Sequence, residues 1–79
     1  MLTEIKVINI ISKFVGEKVD LKSTSSQIEN WDSLAQLNIL ASLDKLTRGK
    51  SSKLDKLTDA TSVKIIINIL SKANLIKKK

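Results

Sequence analysis

Cysteine and histidine are both missing from this chain, and their absence removes most enzyme chemistry at once. Without cysteine there is no disulfide framework, no thiolate nucleophile and no zinc knuckle. Without histidine the usual general base, proton shuttle and commonest metal ligand are gone. The eight carboxylates (Glu4, Glu17, Asp20, Glu29, Asp32, Asp44, Asp55 and Asp59) are scattered, and no two are spaced like a catalytic dyad. The expectation is a protein that performs no catalysis of its own. Aromatics are scarce as well: Phe14 and Trp31 are the only two, which leaves little to stack on nucleic-acid bases. Proline is absent, and glycine occurs only at positions 16 and 49. Long hydrophobic runs are lacking too, since no stretch approaches the roughly 18 apolar residues needed to span a bilayer. The start MLTEIKVINIISKFVG is interrupted by Glu4 and Lys6 and has no small-residue cleavage site after it, so it does not read as a signal peptide. A soluble, cytoplasmic protein with no stable membrane insertion is expected.

Lysine is what the chain has in quantity. The formal charge is +6, from fourteen basic and eight acidic residues, and thirteen of the fourteen are lysine against the single Arg48. Phosphate and base recognition favours arginine for its bidentate fork, so this basicity permits an anionic partner without naming one. Eleven isoleucines and the lysine bias would also follow from an AT-rich coding sequence, and a solvated lysine surface accounts for the charge without any binding role. Seventy-nine residues suffice for one domain, residues 1–79. A domain of this size buries only about 60% of its unfolded surface, which makes a dry catalytic cleft hard to build.

The apolar spacing predicts a helix over residues 3–15, capped by Thr3, with Ile5, Ile8, Ile11, Phe14 and Val15 inward and Gly16 as its stop. Residues 16–32 lack a period and form a long first loop, tethered by Val19, Leu21, Ile28 and Trp31. A second helix is expected over about 33–46, beginning at Asp32 or Ser33, with Leu34, Leu37, Leu40, Ala41 and Leu43 on its apolar face. Gly49 breaks the chain, and LDKL marks a short helix at about 53–58. The last helix, about 62–76, has Ile65, Ile66, Ile69, Leu70 and Ala73 on its core side, followed by a solvated Lys77–Lys79. The predicted fold is all-α, an antiparallel bundle of three main helices plus one short helix. Ser33 and Asp32 both suit a helix start, where either serves as an N-cap worth about 1 kcal/mol.

The segment WDSLAQLNILASLDKL, residues 31–46, resembles the prosthetic-group attachment segment of acyl carrier proteins, in which Asp-Ser-Leu opens the second helix. Chain length, the long loop before the serine, the short third helix and the closing LTDATSVKIIINIL fall in the same order, and Trp before the triplet occurs in carriers outside the standard fatty-acid type. The resemblance implies an acyl-carrier-protein-like bundle. It also implies that Ser33 receives 4′-phosphopantetheine from coenzyme A, delivered by a phosphopantetheinyl transferase. Acyl or aminoacyl groups would then be held as thioesters and exchanged with an acyl-activating enzyme, acyltransferase or synthase. On the same footing Asp32 assists magnesium-dependent transfer at the transferase, and Leu34 points into the bundle so that Ser33 faces out. The carrier is expected to be a monomer that binds no nucleic acid.

Familiar fatty-acid carriers are strongly acidic along the second helix, whereas this one has only Asp44 and Lys45, with Gln36, Asn38 and Ser42 where acids are usual. Lys45, Arg48, Lys50, Lys53 and Lys56 then stand against Asp44 and Asp55. Because charge complementarity sets encounter rates and rejects wrong partners, a specialised polyketide, aminoacyl or surface-glycan pathway is expected rather than housekeeping fatty-acid synthesis. Two alternatives stand beside this one. The first is a small basic helical domain that binds nucleic acid or an anionic membrane surface. The second is a carrier-like fold that has lost its modification, against which the intact Asp32-Ser33-Leu34 argues.

Overall fold

The computed structural model describes residues 2–76. Helix α1 (Glu4–Val15) begins where Thr3 Oγ1 accepts the Lys6 N–H at 3.1 Å and ends at Gly16, whose φ of 76° lets its N–H reach the Ser12 carbonyl. Helix α2 (Ser33–Leu46) and helix α3 (Val63–Lys72) follow. Two 3₁₀ turns, Ser51–Lys53 and Asp55–Asp59, link them, and no strand occurs among the described residues. The fold class is all-α. A radius of gyration of 11.2 Å is close to the roughly 11.6 Å expected for a compact chain of this length.

The core is aliphatic, with one aromatic. Val7, Ile11 and Val15 of α1 meet Ile39 and Leu43 of α2 and Val63, Ile66 and Leu70 of α3, all of them buried, and Trp31 closes the loop side. Each such aliphatic side chain contributes roughly 1.5–3 kcal/mol relative to an exposed position. In α1 the inward stripe is therefore Val7–Ile11–Val15. Ile8 and Phe14 flank it partly buried, while Ile5, expected inside, is 71% exposed. In α3 the run of three isoleucines offers apolar groups on several faces: Ile66 and Ile67 turn in, Ile69 is half-buried, and Ile65 turns out.

Residues 16–32 lack helix but are tied down. The Val19 N–H donates to Ser12 Oγ at 3.1 Å, the Ser25 N–H to the Thr61 carbonyl at 2.8 Å, and the Val63 N–H to the Ser23 carbonyl at 3.1 Å. Val19, Ile28 and Trp31 are buried tethers, but Leu21 is exposed because it sits in the tight turn closed by Asp20 and Ser23.

Two expected elements are redrawn. The short helix at about 53–58 is instead the pair of 3₁₀ turns, split by Leu54 with ψ near 88°. Upstream, Thr47 Oγ1 donates to the Leu43 carbonyl and accepts the Ser51 N–H, which holds the first turn against the end of α2. The last helix stops at Lys72 rather than at residue 76, because Asn74 takes a left-handed φ of 61° and the chain folds back to pair Ile76 with Leu2 in an isolated bridge. The expected tail Lys77–Lys79 lies outside the described residues.

Candidate functional site

The first turn of α2 is where the two candidate caps separate. Asp32 has an extended backbone, and its Oδ1 accepts the Ala35 N–H at 2.9 Å, so the aspartate is the cap. The first intrahelical bond runs from the Gln36 N–H to the Asp32 carbonyl at 2.9 Å. The N–H groups of Ser33 and Leu34 lie ahead of that bond, at the positive end of the helix. Ser33 is the first helical residue and is exposed. Its hydroxyl is not needed to start the helix.

A buried side-chain network holds this turn in place. Trp31 is buried, and its Nε1–H donates to Gln36 Oε1 at 2.7 Å. Gln36 Nε2 in turn donates to the carbonyls of Ala60 at 2.9 Å and Leu57 at 3.3 Å. A side chain expected on the polar surface is thus the buried clamp between loop, α2 and the second 3₁₀ turn. Among the described residues, no buried side-chain nitrogen or oxygen lacks a partner. A signal existed in the spacing: Gln36 falls in register with Ile39 and Leu43, three and seven residues on, which are core.

With Ala35, Gln36, Ile39 and Leu43 facing inward, the outward face carries Leu34, Leu37 and Ala41. This corrects the expectation for Leu34, which is 67% exposed and points away from the bundle; Leu37 is likewise 64% exposed. Ser33 faces out because Ala35 and Gln36 are held in, not because Leu34 is. Beside it runs an open groove of about 530 Å³, with Trp31, Ser33, Leu37 and Leu40 on the α2 side and Thr58, Asp59 and Thr61 opposite.

Among the described residues no group of three or more His, Cys, Asp or Glu is placed to hold a metal ion. No helix among them is long and apolar enough to cross a membrane. The serines and threonine at 23–26 serve the loop, where the Thr24 and Ser26 hydroxyls bond each other at 2.9 Å. Chemically the site offers an exposed primary alcohol on a rigid mount with an open groove alongside. That suits an attachment point acted on by another protein. No family model, no curated protein and no solved structure matches this chain.

Proposed function

We propose that this protein is a carrier of the acyl-carrier type, which receives 4′-phosphopantetheine from coenzyme A on Ser33 and serves a specialised pathway. The single observation that carries the reading is the division of labour at α2. Asp32 makes the cap bond while the neighbouring Ser33 hydroxyl stands in solvent, free for modification. A phosphodiester on that oxygen would sit at the positive end of α2, a placement worth about 0.3–1 kcal/mol when exposed. When bound, the group supplies a terminal thiol on a flexible arm, on which acyl or aminoacyl cargo is held as a thioester. The chain's own contribution is mechanical. The Trp31–Gln36 clamp fixes the direction of the first turn, and the groove lined by Leu37 and Leu40 gives the arm a surface to lie along. The order of elements, with a long tied-down loop before α2 and a short helical segment before α3, also accords with the carrier-type bundle.

The test is incubation of the full chain with coenzyme A and a permissive phosphopantetheinyl transferase, followed by intact mass. A gain of one phosphopantetheine that vanishes in Ser33→Ala is expected. No gain under conditions that load a control carrier rejects the reading.

A further inference from the structure

We infer that the end of the molecule around the tail of α2 is a docking surface for an anionic lipid bilayer. The surface is distinct from the Ser33 site and does not depend on how that site is read. Charge is placed unevenly along the fold. Residues 16–32, which lead into the head of α2, hold Lys18 and Lys22 against Glu17, Asp20, Glu29 and Asp32. Residues 45–53, at its tail, hold Lys45, Arg48, Lys50 and Lys53 and no carboxylate, and all four cations are exposed. The chain is thus polarised along α2, negative ahead of Ser33 and positive at the far end. A lysine coat spread over the whole surface does not produce that gradient.

At the positive end lies an open hollow of about 290 Å³, lined by Leu2, Leu46 and Leu75 together with Arg48, Lys50 and Asn74, and by no described carboxylate. Leu46 is 43% exposed and Leu75 is half-buried, so the cationic rim has an aliphatic centre. Acidic groups here are few. Asp44 is partly buried with its Oδ1 accepting the Ser52 N–H at 3.2 Å, and Glu4 is matched by Lys6 on α1. Lys72 closes α3 two residues before Asn74, and in the sequence three further lysines follow Ile76. Arg48 holds its place under strain. Its φ is 56°, a left-handed value that glycine or asparagine adopts more readily, as Asn74 does beside the same hollow. A cation at a position suited to glycine accords with a use for its charge rather than for the turn.

A bilayer suits this end better than a protein or a nucleic acid does. Anionic headgroups attract any cation held near them, lysine as well as arginine, without a fixed pairing geometry. Lys45, Lys50, Lys53 and Lys72 against the single Arg48 fit that demand. Protein interfaces are depleted in lysine and enriched in arginine and aromatics. Nucleic-acid recognition draws on arginine forks and stacking rings. Trp31 lies just ahead of α2 and Phe14 in the last turn of α1, both away from this end. The aliphatic centre is small, and no described helix is long and apolar enough to cross a membrane, so the docking is peripheral and reversible. Repulsion of the acidic loop from the same headgroups sets the orientation, with residues 16–33 toward water.

The test is co-sedimentation of the full chain with phosphatidylcholine vesicles, with and without about one-third phosphatidylglycerol. Expected is binding at least about tenfold tighter to the anionic vesicles, fading as salt is raised. At about 0.1 M salt the field of a charge reaches roughly 10 Å, so where a charge lies matters as much as its sign. Lys45→Glu with Lys50→Glu weakens binding about tenfold, whereas Lys18→Glu with Lys22→Glu, an equal change in net charge, weakens it less than about twofold. In the unaltered chain, a gadolinium chelate carried on lipid broadens the amides of residues 45–50 and Leu75 and leaves Ser33 sharp. Equal binding to both vesicles, equal losses from the two reversals, or broadening spread evenly over the chain overturns the inference. So does tighter binding of duplex DNA or of an acidic helical peptide through residues 45–53. Ser33→Ala binds vesicles as the parent does. Loading is read by mass and docking by sedimentation, so either can fail without the other.

Discussion

Helices α2 and α3 both begin beside a serine, and only one of the two serines caps its helix. At α3 Ser62 is the cap: it is buried, its Oγ accepts the Ile65 N–H at 3.1 Å, and its neighbour Val63 is tied to the loop through the Ser23 carbonyl. At α2 the same bond is made by Asp32, and the serine has moved one position into the helix, where it faces solvent. A serine at a helix start is usually structural because its oxygen satisfies an orphan N–H. Where a neighbour already does so, the hydroxyl is structurally surplus. The contrast teaches that position relative to the cap, not residue type, separates the two roles.

The comparison breaks most sharply in a loading assay. Ser33→Ala should lose the phosphopantetheine mass gain entirely, whereas Ser62→Ala should be loaded as the parent is; intact mass reads both. Next in size is the clamp behind Ser33. Gln36→Leu leaves the Trp31 N–H and the Ala60 carbonyl without their partner, while the Leu57 carbonyl keeps the Ala60 N–H, and should cost about 2–4 kcal/mol in urea unfolding. A loss below about 0.5 kcal/mol would mean the network is not what orients the first turn.

Smaller effects sharpen the distinction between caps. Ser62→Ala and Asp32→Ala should each lower stability by about 1 kcal/mol, and Asp32→Asn by a few tenths, since asparagine caps about as well. Ser33→Ala should change unfolding by less than about 0.5 kcal/mol, the range for surface positions without structural partners. A Ser33→Ala loss as large as that of Ser62→Ala would make both serines structural. Least of all, Leu34→Gln and Leu37→Gln should leave the melting temperature nearly unchanged, because neither side chain is in the core.

Helix positions were readable because their ends are written in residue chemistry. Thr3, Asp32 and Ser62 each accept an N–H three residues on, and Gly16 takes the left-handed turn. Helix faces were harder. In α2, Leu34, Leu37, Ile39, Leu40, Ala41, Leu43 and Leu46 surround the axis, so periodicity alone does not choose between the Leu34–Leu37–Ala41 stripe and the Ile39–Leu43 stripe. The choice is made by Gln36, whose bonds to loop and 3₁₀ turn are long-range and invisible to any local pattern. Asn74 hid the end of α3 for a related reason, since asparagine is common both inside helices and in left-handed turns, and the fold-back that decides it pairs opposite ends of the chain. Exposure of Ser33 followed from the cap assignment; exposure of Leu34 did not.

The pairing of Leu2 with Ile76 gives the molecule a front and a back. Both described ends lie together near Leu46, Thr47 and Arg48, at the tail of α2, whereas Ser33 sits at its head. Ser33 and Leu46 are the first and last of fourteen helical residues, about 20 Å apart at the standard rise. The bridge that joins the first and last described residues therefore lies at the opposite end of α2 from the exposed serine, and neither of those residues crowds its hydroxyl.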